Sequence, residues 1–163
     1  MSGLRFWITA LLVLWLAAVL QIAVATRISL GGFRPDFLLI CLVVLSLFGG
    51  RLEGAVLGFL AGVLQGALPL SRVGHYIVSR SLTGFFVAWS KKWEYEVGAL
   101  TAALIAFAGT CLAQLIWMFL AAPPAIGAFL GDTILSAVYN GVLAAPVYAL
   151  LKRILTSNSP MGP

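Results

Sequence analysis

GAVLGFLAGVLQG, residues 54–66, carries a glycine at every fourth position, namely Gly54, Gly58, Gly62 and Gly66. Four residues turn an α-helix through about 400°, so these glycines form one slowly winding groove along the helix. In water each interior glycine would cost about 1 kcal/mol relative to alanine. In lipid, small residues four positions apart let two helix backbones approach closely. The pattern therefore predicts a membrane helix whose groove holds a second helix.

The sequence leaves the occupant of this groove open. One alternative is another helix of the same chain, in which case the glycines serve internal packing. The other is a helix of a partner protein, which would use the glycines and the neighbouring Phe59 as a docking seam.

The composition of the chain indicates a helical membrane protein. Of its 163 residues, 62% are hydrophobic and 9% are charged, whereas soluble domains carry about 25% charged residues. The apolar runs lack the alternation of β-strands, and a spanning helix needs about 20 residues. We therefore predict an all-α integral membrane protein built as a six-transmembrane-helix bundle. Residues 1–155 would form its single domain and residues 156–163 a flexible tail.

Apolar runs and turn residues place the six spans. The predicted spans are residues 4–25, 37–48, 54–70, 75–90, 97–121 and 132–151. We expect the first span to be retained, because its apolar run of about 20 residues exceeds the 7–15 of a signal peptide. Cytoplasmic loops carry an excess of Lys and Arg. Counting these residues places both termini in the cytoplasm, with six basic residues on that side (Arg5, Arg51, Lys91, Lys92, Lys152 and Arg153) against three outside (Arg27, Arg34 and Arg72).

Polar residues are few within the spans, and Arg80, Gln114 and Asp132 are the most notable. Arg80 lies about 9 Å from its helix end at 1.5 Å per residue, so it is expected to reach the surface or to pair with an acid. A charge buried at mid-membrane would instead indicate function. Asp132 is predicted to cap the N-terminus of the last helix.

Two further polar positions lie near helix ends or within the last span. Pro35 and Asp36 begin the second span, where proline is tolerated and an acid favours the positive end of the helix dipole. Asp36 could also pair with Arg34. Asn140 is a buried amide that requires a partner, and Pro146 predicts a kink in the last helix.

The sequence shows no Ser-His-Asp or Cys-His set of the kind that nucleophilic catalysis uses. It contains one histidine, two distant cysteines, no phosphate-binding loop and no metal-ligand cluster. Its ten Lys and Arg residues are scattered and form no basic stripe. We therefore predict a binding or scaffolding protein with no catalytic site, metal or cofactor and with no affinity for nucleic acid.

Three short segments of the sequence are informative in combination. They are Phe33-Arg34-Pro35-Asp36 at the start of the second span, Gly58-Phe59-Leu60-Ala61-Gly62 in the third, and Asn140-Gly141 followed by Pro146 in the last. In this combination the chain resembles MreD, the rod shape-determining membrane protein family of bacteria. It departs from the family at Gln65, near which relatives often carry an aspartate.

This resemblance implies a non-enzymatic scaffold of the cell-elongation machinery in the inner (plasma) membrane. Such a protein binds the transmembrane helix of MreC and works with the MreB filament. It also works with the peptidoglycan synthase formed by RodA and a class B penicillin-binding protein. On this interpretation the glycine groove holds the MreC helix. Replacing Gly58 and Gly62 by Leu would then leave insertion intact and abolish MreC binding.

An alternative comes from overall size and helix number, which are similar to those of the substrate-binding S components of energy-coupling-factor vitamin transporters. That similarity implies a small-molecule binding function. Two features of the sequence are unfavourable to it. The first span lacks the Ala-x-x-x-Ala motif of those proteins, and polar groups that could hold a vitamin are sparse. The sequence leaves open whether an inner cavity holds a lipid or a small ligand.

Overall fold

The structure is a computed structural model that describes residues 3–25, 27–28, 34–67, 72–93 and 96–156. Within these residues the regular secondary structure is entirely helical, which confirms the all-α prediction. A 3-10 turn at Lys91–Trp93 follows the fourth helix. The α-helices are α1 (Gly3–Ala23), α2 (Phe37–Ser46), α3 (Arg51–Ala67), α4 (Val73–Ser90), α5 (Ala99–Leu120) and α6 (Ile126–Thr156).

The short helix α2 forms the centre of the bundle and packs against all five other helices. Its residues from Leu38 to Ser46 are all buried, as is typical of a helix that is apolar on every side. Ten residues rise only about 15 Å, roughly half of a 30 Å hydrocarbon core. The N-terminus of α2 therefore lies inside the bundle and leaves space above it.

Consecutive helices run antiparallel, as two hydrogen bonds and a shared cavity at one end of the bundle show. The Lys91 ammonium donates a hydrogen bond to the carbonyl of Gly49, and the Tyr148 hydroxyl donates to the carbonyl of Val97. Arg5 near the start of α1 lines a small cavity with residues near the end of α6. We call this end the basic end, and it carries Arg5, Arg51, Lys91, Lys152 and Arg153.

At the basic end the ammonium of Lys91 sits in a partly buried environment. Desolvation by this burial lowers the pKa of Lys91 from its ordinary value of 10.5, while the nearby carboxylate of Glu53 acts in the opposite direction. We call the opposite end of the bundle the cavity end.

The glycine groove of α3 is filled by α4 of the same chain. A Cβ built on Gly58 would lie 2.2 Å from the carbonyl oxygen of Arg80, and one on Gly54 would lie 2.3 Å from that of Gly84. No side chain fits such gaps, so the two backbones are in direct contact. The remaining close approaches are Gly62 to Ile77 Cα at 2.5 Å and Gly66 to Val73 Cα at 2.6 Å.

Of the two alternatives for the groove, the structure shows the internal one. The expectation that Gly54, Gly58, Gly62 and Gly66 hold a partner helix is wrong, because α4 already occupies the groove. Phe59 is a different case: its side chain is half exposed on the outer side of α3. A leucine at Gly58 would therefore damage the fold itself and would not test partner binding.

The last helix differs from its prediction at its start. α6 begins at Ile126, two residues after Pro124 of the Pro123-Pro124 pair. Asp132 lies inside this helix and is exposed, so the prediction that it caps the helix is wrong. The apolar residues after the prolines continue the helix without a break, and the carbonyl of Ala125 accepts the first hydrogen bond.

The rest of α6 is continuous. The helix passes through Pro146 and extends to Thr156, the first residue of the predicted tail. Residues 157–163 lie outside the described residues, as does Phe33. The kink predicted at Pro146 stays a prediction.

Among the described residues, α1, α5 and α6 are long and apolar enough to cross a membrane. Their outer faces expose large apolar side chains, among them Leu12 and Trp15 of α1 at 63% and 65% exposure. Such surfaces suit lipid rather than water. A helical membrane protein is thus supported. Six α-helices are present in the described part of the chain, and the number that cross the bilayer stays a prediction.

Candidate functional site

A polar cavity of about 310 Å³ lies at the cavity end, above the N-terminus of α2. All five surrounding helices and the segment before α2 contribute to its wall. The charged and amide side chains that line this polar cavity are Gln21, Arg34, Asp36, Gln65, Arg80, Gln114 and Asn140. A cavity with several convergent polar groups is the usual form of a small-molecule site.

A buried ion pair crosses the inner wall of the cavity. The Nη2 group of Arg80 donates to Oδ2 of Asp36, and the two side chains are 4% and 17% exposed. The guanidinium also lies 5.8 Å from the ring centroid of Tyr76. Of the alternatives predicted for Arg80, pairing is correct and reaching the surface is wrong. In place of the pairing with Arg34 that the sequence also allows, Asp36 pairs with Arg80 on α4.

Asp36 also fixes the start of α2, as its position after Pro35 predicted. Its Oδ1 accepts a hydrogen bond from the backbone N–H of Leu39 at 2.9 Å, which makes it the N-cap of the helix. The same carboxylate therefore caps α2 and neutralises Arg80. Because α2 is central, this single residue connects the local start of a helix with the charge balance of the cavity.

Two amides hold the backbone around Asp36 in place. Oδ1 of Asn140 accepts from the N–H of Asp36 at 3.0 Å. Oε1 of Gln21 accepts from the N–H of Phe37 at 2.8 Å, and its Nε2 donates to the carbonyl of Pro35 at 3.2 Å. These bonds satisfy backbone groups that a helix start would otherwise leave without partners.

The Asn140-Gly141 pair joins this network to the packing of α5 against α6. Asn140 is 1% exposed and donates from Nδ2 to Oγ1 of Thr110 at 3.2 Å. A Cβ on Gly141 would approach the carbonyl of Ala103 to 3.0 Å, so the glycine lets α5 come close enough for that bond. The partner that the sequence requires for Asn140 is thereby identified.

We expect Asn140→Leu to lower the free energy of unfolding by about 1–3 kcal/mol, because the N–H of Asp36 loses its acceptor inside the bundle. Thr110→Val removes the other bond of Asn140 and also the bond that the Thr110 hydroxyl donates to the carbonyl of Ala106, and it should cost about 1–2 kcal/mol. The measurement is the melting temperature of the purified variants in mild detergent. Equal melting temperatures for Asn140→Leu and the wild type would contradict the proposed role of this amide.

Three buried polar atoms that belong to cavity-lining residues have no hydrogen-bond partner among the described residues. They are Nε of Arg80, Nε1 of Trp117 and Oε1 of Gln65. An unsatisfied buried donor or acceptor typically costs about 1–3 kcal/mol. Three such atoms around one cavity are therefore unusual and indicate a site that a ligand or solvent completes.

Aromatic rings form the outer part of the cavity wall. Trp117 stacks on Phe129 with ring centroids 6.1 Å apart and an interplanar angle of 17°. The guanidinium of Arg72 lies over the Trp117 ring at 5.4 Å from its centroid. These contacts fix the Trp117 ring and thereby the direction of its N–H group.

The structure brings together several residues that the sequence singled out separately. Arg34, Pro35, Asp36, Arg80, Gln114 and Asn140 all line the polar cavity. Other predicted residues lie elsewhere: Asp132 and Pro146 are exposed on α6, and the four glycines of α3 face α4.

Sequence reasoning missed Tyr76, Trp117, Phe129 and Ser136 as cavity residues. An aromatic or serine within an apolar run carries no signal that separates a cavity position from ordinary packing. It also judged the polar groups too sparse for a ligand, yet seven charged or amide side chains from distant parts of the chain line one cavity. The site exists because these side chains converge in space, although such residues are few along the chain.

Comparison with known protein families identifies this chain's family. The model of the family described as rod shape-determining protein MreD matches residues 2–154, nearly the whole chain. No curated protein and no solved structure matches the chain. The matched region includes the cavity residues and the glycine-rich helix α3.

Proposed function

This chain belongs to the MreD family of rod shape-determining proteins, and we propose that it is a non-enzymatic scaffold of the cell-elongation machinery in the bacterial inner membrane. The observation that carries this proposal is the family match over residues 2–154. In this role the protein binds MreC and helps to position peptidoglycan synthesis, alongside the MreB filament and the RodA and penicillin-binding synthase pair. The family match favours this function over that of a vitamin-transporter S component.

We propose that the basic end faces the cytoplasm. Arg5, Arg51, Lys91, Lys152 and Arg153 lie there, and cytoplasmic segments of membrane proteins are enriched in such residues. Both termini then lie on the side of the MreB filament. The polar cavity would face the extracytoplasmic side, where peptidoglycan is built.

The MreC helix needs a surface other than the glycine groove, which α4 fills. We propose the apolar groove between α1 and α3, where a cavity of about 380 Å³ is lined by leucines, Trp15 and Val63. The two helices touch each other little, and the groove between them is open where residues 11–15 face residues 60–64. Phe59 is half exposed on α3, and a single apolar helix could pack beside it through close contacts.

We expect Val63→Trp to reduce co-purification with tagged MreC about tenfold, because a ring in the groove displaces a packed helix at a cost of about 1.4 kcal/mol or more. Val142→Trp is the matched control, since Val142 is 65% exposed on α6. Both variants are co-expressed with MreC and isolated in mild detergent.

Equal MreC recovery for Val63→Trp and Val142→Trp would exclude the groove between α1 and α3 as the interface. Failure of the wild-type chain to recover MreC would instead contradict the partner itself. The two outcomes are distinguished because the wild-type chain is measured in the same experiment.

A further inference from the structure

We propose that the polar cavity binds a small phosphate ester that carries a free hydroxyl group, as the head group of a lipid or as a soluble molecule. This binding is separate from the scaffold function, because it uses the interior of the cavity rather than an outer helix face. Three observations support it: the unpartnered atoms of the wall, the charge of the cavity, and its depth and size.

The unpartnered atoms define what a ligand must offer. Nε of Arg80 and Nε1 of Trp117 are donors only, so the ligand must present acceptor oxygens. Oε1 of Gln65 is an acceptor only, so the ligand must also present a hydroxyl or similar donor. A phosphate group offers several acceptor oxygens, and a neighbouring hydroxyl supplies the donor. A hydrocarbon chain supplies neither.

The charge of the cavity favours an anion. Asp36 and Arg80 form a pair, and their charges cancel. The remaining charged group among the described lining residues is Arg34, which is exposed at the rim. The N-terminus of α2 points into the same region and adds partial positive charge. The described wall therefore carries a net charge of about +1, which one phosphodiester or phosphomonoester group would complement.

The position of the cavity also fits this ligand. The N-terminus of α2 lies beside Gln21 in the last turn of α1, so the cavity holds its polar groups near one end of the bundle, where a lipid head group or a soluble molecule can reach them. Its volume of about 310 Å³ is at the small end of ligand sites, which span about 300–1,000 Å³. The cavity therefore suits a glycerol phosphate or a comparable head group.

The first experiment uses the full-length chain purified in a neutral detergent and titrated with sn-glycerol 3-phosphate. We expect the melting temperature to rise with ligand concentration, since a ligand that binds only the folded state stabilises it. Glycerol, which lacks the phosphate, is the matched ligand control and should have no effect. The second arm places the chain in nanodiscs of phosphatidylglycerol or phosphatidylcholine, followed by native mass spectrometry for retained lipid.

Two variants test the site itself. Trp117→Phe keeps the ring that stacks on Phe129 and removes only the N–H donor, so we expect about tenfold weaker binding. Without ligand this variant should melt at or above the wild-type temperature, because an unsatisfied donor has been removed. Gln65→Glu adds a negative charge to the wall and should weaken phosphate binding at least as much. Trp93→Phe, at a ring that is 78% exposed outside the cavity, is the control.

A shift with glycerol phosphate that Trp117→Phe and Gln65→Glu diminish would support a soluble ligand. Selective retention of phosphatidylglycerol, lost in the same variants, would support a lipid head group. Absence of both effects would overturn the proposal, and so would binding that is equal in the wild type and both cavity variants. Since MreC is absent from these measurements, their outcome is independent of the scaffold proposal.

Discussion

Replacing Gly58 with leucine is expected to prevent the chain from forming a stable bundle. A Cβ at this position would lie 2.2 Å from the carbonyl oxygen and 2.5 Å from the carbonyl carbon of Arg80. Both atoms belong to the helix backbone, so no change of rotamer relieves the overlap and α4 must move away. Overpacking in adjustable cores costs about 1–3 kcal/mol, and we expect a loss of at least about 3 kcal/mol for Gly58→Leu. The measurement is the yield of monodisperse protein and its melting temperature in detergent.

Gly131→Leu provides the control for this prediction. Gly131 lies within α6, and a Cβ built there meets no atom within 4 Å. Leucine also has the higher helix propensity, by up to about 1 kcal/mol. We expect this variant to behave as the wild type. A melting curve for Gly58→Leu that superimposes on that of Gly131→Leu would contradict the backbone contact between α3 and α4.

The contact at Gly58 has a consequence for the cavity. The carbonyl group that Gly58 approaches belongs to Arg80, the residue whose guanidinium pairs with Asp36. The distance between α3 and α4 therefore sets the position of the cation in the cavity wall. The glycine pattern and the intramembrane arginine are two parts of one arrangement, although the sequence presents them as unrelated features.

The order and approximate bounds of the helices were predictable because each apolar run is bounded by charge, glycine or proline. The predicted span 97–121 corresponds to α5, Ala99–Leu120, and the predicted span 37–48 to α2, Phe37–Ser46. The start of α6 was not predictable from the sequence. A single acidic residue at position 132 resembled a cap, but capping is a local preference of about 1 kcal/mol that the continuous apolar run before it outweighed.

Several polar residues of the cavity were predictable one by one, but the cavity itself was not. Asp36 lies 44 positions from Arg80 and 104 from Asn140, and no periodicity specifies which helices become neighbours over such distances. The length of α2 was the missed signal. A run of about 12 residues rises only about 18 Å, so one end of that helix had to lie inside the bundle, where polar residues near it would gather.

Breaking the ion pair of the cavity is expected to lower the free energy of unfolding by about 3–5 kcal/mol for either single variant. Arg80→Met leaves the Asp36 carboxylate without its cation. Asp36→Asn keeps an N-cap for α2 but leaves the buried guanidinium without its anion. Arg153→Met, at an exposed residue near the basic end, should change stability by no more than about 0.5 kcal/mol. Denaturation followed by tryptophan fluorescence measures all three.

The double variant Asp36→Asn with Arg80→Met separates the pair from the helix cap. Removing both charges leaves no isolated ion in the low-dielectric interior, so the double variant should be more stable than the sum of the single losses predicts, by about 2 kcal/mol or more. If Asp36 served only to cap α2, the two losses would be independent and would add. Additive losses would therefore contradict the pair as the element that neutralises the cavity wall. They would also remove a premise of the proposed anion site, namely that Asp36 and Arg80 cancel each other's charge.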